Sequence, residues 1–389
     1  MAVRLYYGLF GKDIKMAAPD ETDNPFYNVL RSMAQRIDYL PGKYLLQRHT
    51  LPTSVGWEST IQRAAIAAQS RKDHEDLYSS LMNAFQQHTL VGEKVVLYYG
   101  FAGLPEDVRK KHIEEAFNKT TEAVQPSEFS IAYPLAIHDQ ERLKALEDAP
   151  PTLTVCYAET DKVIFLFSSV RSFNERVPLD RNQFDDDDKA KLADYSELIG
   201  VRAIRRQCFD YVIYDVNRQL VELRIDCPDG MPSVQKQTAL QRINAAFNQL
   251  VVFADGWSPF GTTPHNFHAL MENLYKTPSE GTVFQLGFTA STDKSSSNNG
   301  ARLLRRKNVD LRKDEFHIGG ANNVKDISVY TIGVEWKSDI GVNNPMIIVP
   351  GSVKMLYSPP IIFPELYIRG CLTTDQYDLI SKKIDKYFQ

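Results

Sequence analysis

The chain has 389 residues and a formal net charge of −4. Hydrophobic residues make up 43% and charged residues 24%, which excludes a wholly disordered chain, and the length predicts two or three domains. Residues 1–200 carry 23 Lys+Arg against 30 Asp+Glu, and residues 201–389 carry 22 against 19, so no global positive field exists but the second half is mildly basic.

The first predicted element is a strand over Val3–Gly8. Asn24-Pro25 then predicts a helix start, because asparagine caps and proline pre-sets φ in the first turn. Phe26, Val29, Leu30, Met33, Ile37 and Leu40 continue it at helical spacing, and Pro41-Gly42 is expected to stop it. Two more helices are predicted over 53–70 and 74–88, then a strand over Val95–Gly100. Leu5-Tyr6-Tyr7-Gly8 and Leu97-Tyr98-Tyr99-Gly100 match, as two βα units of one sheet would, although four residues are a short match. Neither turn has a phosphate-binding glycine signature. A helix follows from Leu104-Pro105 to about Ala123, with Glu106 and Asp107 at the positive end of its dipole.

Ala149-Pro150-Pro151 reads as a linker, since paired prolines break both helix and ladder. Beyond it hairpins dominate: Thr152–Ala158 with Lys162–Val170, and Arg205–Tyr214 with Leu220–Asp226. Helices are predicted over 183–198, over 233–251 and from Thr263-Pro264 onward. Strands are predicted over 281–290, 327–337, 346–349, 352–357 and 366–369, then a terminal helix over 373–387. The polar stretch Ser291–Gly300 reads as a mobile loop. The expected class is α+β: an N-terminal α/β-like segment followed by mainly antiparallel hairpins with packed helices. Expected domains are 1–149, acidic and helix-rich; 152–253, a hairpin-plus-helix unit; and 262–389, basic and continuous with the second.

Four cysteines, Cys156, Cys208, Cys227 and Cys371, have no zinc-site or dithiol spacing, and Cys156 and Cys208 lie in apolar runs that predict buried reduced thiols. With no signal peptide pattern and no apolar run near the roughly 20 residues of a membrane span, a soluble cytoplasmic protein is expected.

The strongest local signal is basic. Arg302, Arg305, Arg306, Lys307, Arg312 and Lys313 fall within twelve residues, and a second cluster is Arg202, Arg205 and Arg206. As a helix, the stretch would bring Arg302, Arg305 and Arg306 to one face. Phosphate contacts need charge and reach, so a non-catalytic nucleic-acid-binding subunit, DNA before RNA, is the leading expectation. The acidic first half would meet a protein partner, self-associate or oppose non-specific binding. A solvated charged face is an equally ordinary explanation.

One alternative is a Mg²⁺-dependent nuclease of the PD-(D/E)xK type, with Asp326, Glu335 and Lys337 as the acid and the acid-x-Lys pair. Another is a protein-interaction scaffold with no nucleic-acid role. His265, His268 and Glu272 have spacing that one helical face would gather, but capping and interface roles are expected for them. Asp185–Asp188 cannot converge on one ion and are expected at a helix N-terminus.

Overall fold

The computed structural model describes residues 24–101, 104–228, 231–253, 255–291, 300–338 and 341–388. The first predicted strand and almost all of the Ser/Asn stretch lie outside these residues.

Four helices come first: α1 (Pro25–Ala34), α2 (Tyr39–Arg48), α3 (Gly56–Gln69) and α4 (His74–Val91). Strand β1 (Lys94–Gly100), α5 (Glu106–Ala123), α6 (Glu128–Ala132) and α7 (Gln140–Leu146) follow. The middle of the chain builds β2 (Thr152–Ala158), β3 (Lys162–Pro178), α8 (Asp186–Lys191), β4 (Ile199–Asp215), β5 (Leu220–Asp226) and α9 (Ser233–Leu250). The last part adds α10 (His268–Lys276), β6 (Thr282–Ser291), β7 (Gly300–Arg305), α11 (Glu315–Ala321), β8 (Asp326–Glu335), β9 (Met346–Val349), α12 (Val353–Leu356), β10 (Leu366–Arg369) and α13 (Thr374–Phe388). This is a mixed α+β fold.

The ten strands form one antiparallel sheet in the order β2-β3-β4-β5-β1-β10-β9-β8-β6-β7. Its centre is β1, which pairs with β5 (Lys94↔Asp226) on one side and β10 (Lys94↔Ile368) on the other. Strands from all three segments expected as domains therefore share one sheet. β1 reads as an almost unbroken apolar run because both of its faces are covered. Val96 and Tyr98 join the core under α10 and α13, and Val95, Leu97 and Tyr99 join the core under α5 and α9. Helices α1–α4 pack around a third core centred on Phe26, Leu30, Leu81 and Phe85.

Helix α1 starts as the sequence predicts, with Asn24 Oδ1 accepting from Phe26 N at 2.9 Å. It stops earlier than expected. Pro41 lies in the first turn of α2, where a missing N–H leaves no hydrogen bond unmade, and so does not break it. Gly42 is required there by contact, since a Cβ would come within 2.0 Å of the Trp57 ring. The helix expected over 183–198 shrinks to α8, whose N-cap is Asp185 and whose first turn holds Asp186, Asp187 and Asp188. The strand expected over 352–357 is instead α12, because the Ser352 hydroxyl caps it by accepting from Met355 N at 3.3 Å.

A buried set of charges fastens α1 to the sheet. Arg36 reaches Asp226 at 2.7 Å, and Lys94 lies 3.4 Å from the same carboxylate. Lys94 also donates to the Phe209 carbonyl at 2.9 Å. Next to them Arg171 pairs with Asp210, whose Oδ1 accepts from Asp226 N at 2.9 Å. Burial pulls the Lys94 ammonium down, and the Asp226 carboxyl is held well below its usual range by the surrounding cations although burial opposes this.

Candidate nucleic-acid interface

The stretch from Gly300 to Arg305 is β7, a strand at the sheet edge, not a helix. Its pairing with β6 sets Arg305 opposite Gln285, Leu303 opposite Gly287 and Arg302 opposite Phe288. Residues directly opposite share a face, so period-two alternation sends Arg302 and Arg305 to opposite faces. The helical face that would have gathered Arg302, Arg305 and Arg306 does not form. Arg306 continues the ladder through its N–H to Phe284 O at 2.9 Å and pairs with Asp314 at 3.0 Å. Arg302, Arg305 and Lys307 are exposed and have no ion-pair partner among the described residues. Charge on an edge strand also discourages unwanted strand addition.

Arg312 is withdrawn from the surface. Its guanidinium donates to the carbonyls of Leu274 (2.7 Å), Thr277 (2.6 Å), Glu280 (3.0 Å) and Gly281 (2.8 Å) and to both oxygens of Asp310. It gathers carbonyls from the last turn of α10 and from the turn after it, and holds that end against the start of β6. Lys313 is exposed and stands 3.7 Å from Asp310.

The second cluster lies on β4. Arg202 is exposed, Arg205 pairs with Glu147, and Arg206 turns its Nε into the interior near Arg36 and Asp226. Six strands separate β4 from β7. Seven spacings of about 4.8 Å put them roughly 34 Å apart, so the two basic clusters do not converge.

Asp326 and Glu335 occupy opposite ends of the same strand, β8. Nine residue steps at about 3.3 Å hold their backbones far beyond the reach of one ion. Glu335 faces Thr282 and Met346 across the ladders, neither of them an acid. Trp336 is buried and Lys337 exposed, as alternation predicts. No group of three or more His, Cys, Asp or Glu side chains suited to a metal occurs among the described residues. His265 precedes α10 and stacks on Phe388, while His268 opens α10 and stacks on Phe363. Both therefore have interface roles. All four cysteines are buried and free, and burial raises the thiols of Cys156 and Cys371 to about 12.

The sequence reading missed an open groove of about 380 Å³ on the sheet face opposite α10 and α13. On that face α9 ends its cover near β10, where Lys236 hydrogen-bonds the Tyr367 hydroxyl at 3.1 Å. The register aligns one row straight across five strands: Arg305, Gln285, Gly333, Ile348 and Tyr367. Two β-bulges, at Phe284 and at Tyr330, add an aromatic residue each. A Cβ on Gly333 would come within 2.8 Å of the Phe284 ring, and one on Gly287 within 2.6 Å of the Tyr330 ring. The two rings thus occupy the space above the two glycines. Gly287 and Gly333 inside β-rich runs were the only sequence sign of this close approach.

A comparison with models of known protein families finds no match, and a comparison with curated proteins finds no similar sequence. No helix among the described residues is long and apolar enough to cross a membrane.

Proposed function

We propose that this protein is a non-catalytic nucleic-acid-binding subunit, cytoplasmic, that contacts phosphates through the β7 edge. The observation that carries the reading is that Arg302, Arg305 and Lys307 stand exposed along one sheet edge with no ion-pair partner among the described residues. Such cations have no internal pairing to break before they meet a phosphate. Arg306 is exposed beside them and exchanges Asp314 for a phosphate at small cost, as exposed ion pairs contribute little. Arg312 is left out of the interface, and so is the second cluster, where Arg205 is paired with Glu147 and Arg206 turns inward. The acidic first half serves a protein partner, and the four buried thiols suit a reducing compartment.

The test is binding of labelled single-stranded and duplex oligonucleotides by the full chain, followed by anisotropy over a salt series. Affinity is expected to fall with rising salt, with a slope of about −0.7 per phosphate neutralised on a single strand. The triple variant Arg302→Glu, Arg305→Glu, Lys307→Glu is expected to lose binding while keeping its unfolding midpoint. No binding of either form at low salt refutes the function, and binding unaffected by the triple variant refutes the site.

A further inference from the structure

We infer that the open face of β10-β9-β8-β6-β7 takes single-stranded nucleic acid, with its bases laid across the strands and its phosphates toward Arg305 and the β7 edge. This rests on the nucleic-acid reading above and adds to it the form of the ligand.

The first argument is shape. A protein reads duplex DNA by entering a groove with a protruding helix or a two-stranded ribbon. This face does the reverse. Its floor is the row from Arg305 to Tyr367, and α9 with Lys236 rises beyond Tyr367. A recess of this kind offers a duplex groove nothing to receive, and its volume of about 380 Å³ admits unpaired bases.

The second argument is chemistry. The row spans four inter-strand spacings, about 19 Å, and a sheet face of this kind holds about two or three stacked bases. Aromatic surface is supplied by Tyr367 and Tyr330, which line the groove, and beside them by the Phe284 ring over Gly333. The Tyr367 ring is fixed, because its hydroxyl is bonded to Lys236 and the Lys236 ammonium lies 5.2 Å from its centre. Gln285, tied to Thr331 at 3.2 Å, brings an amide to the floor beside Arg305.

The third argument is charge. Arg305 closes the row at the sheet edge, and Arg369, 5.6 Å from the Tyr367 ring, adds a cation at the far side. Glu335 lies in the neighbouring row with Met346 and Arg369, not in the row from Arg305 to Tyr367. An anionic chain thus meets Arg305 at one end of an aromatic floor and Arg369 beside the other, where Lys236 is already paired with Glu365.

The full-length chain is titrated with labelled oligo(dT), oligo(U) and a duplex of equal length. At least tenfold tighter binding of a single strand than of duplex is expected. Phe284→Ala and Tyr367→Ala are each expected to weaken it by about 5- to 100-fold, the usual loss of one stacked base, without changing the salt slope. Tyr367→Phe, which keeps the ring, is expected to retain binding and so separates stacking from folding. Arg305→Gln is expected to make the slope shallower by about 0.7. Duplex binding as tight as single-strand binding overturns the inference and leaves the nucleic-acid reading standing. So does wild-type affinity in the two alanine variants. Absence of all salt-dependent binding removes both.

Discussion

Replacing Asp226 by alanine tests the account of the buried charges. The carboxylate accepts from Arg36 at 2.7 Å and from Phe209 N at 3.0 Å, with Lys94 at 3.4 Å. Both Asp226 and Lys94 are fully buried. Without it, Arg36 and Lys94 lose their nearest anion, while Arg171 keeps its pair with Asp210. Breaking a buried pair from one side costs about 3–5 kcal/mol, because the remaining charge stays out of water with nothing to offset it. Equilibrium urea unfolding of the full chain should show a loss of that size for Asp226→Ala. Removing Arg36 as well, as Arg36→Met, takes away one stranded cation along with its partner. The double variant should therefore be at least about 1 kcal/mol more stable than the sum of the single losses predicts. A loss under about 1 kcal/mol for Asp226→Ala, or strict additivity in the cycle, refutes the reasoning.

Acid should destabilise the fold through two histidines. Burial lowers His88 and His138 to about 4, while unfolded histidine titrates near 6.5, so the unfolded chain takes up protons first and stability falls as pH drops from about 6.5 to 4. Each contributes up to about 3 kcal/mol over that window. The variant His88→Gln, His138→Gln should flatten the urea midpoint between pH 6.5 and 4.5, and an unchanged slope contradicts the assignment. Arg312→Met should cost about 3 kcal/mol in the same assay, since it strands Asp310 and four carbonyls, yet leave oligonucleotide affinity unaltered. A drop in affinity at full folding would return Arg312 to the interface.

Elements whose signals are local were legible in the chain. Asn24-Pro25 carries the capping and φ preferences that start α1, and the apolar run at β1 is readable because both faces are buried. Failures occurred where a distant partner overrides a local preference. Arg302–Arg306 has no apolar period to reveal a strand, and β6 alone imposes one by offering its free edge. Pro41 reads as a stop, but its place in a first turn depends on where α2 packs. The open groove was illegible for a similar reason. Its row takes one residue from each of five strands, and bulges reset the register at Phe284 and Tyr330.

Alternation, capping residues and charge by themselves determined an α+β chain, rich in hairpins, with a basic stretch near Arg305. The tertiary structure alone decided which cations of that stretch reach solvent. Arg312 and Arg305 are the same residue type seven positions apart, yet one is buried and the other exposed. The difference lies in carbonyls at Leu274, Thr277, Glu280 and Gly281, which the fold brings around Arg312. A guanidinium leaves water only where enough acceptors replace it, and composition cannot say where they gather.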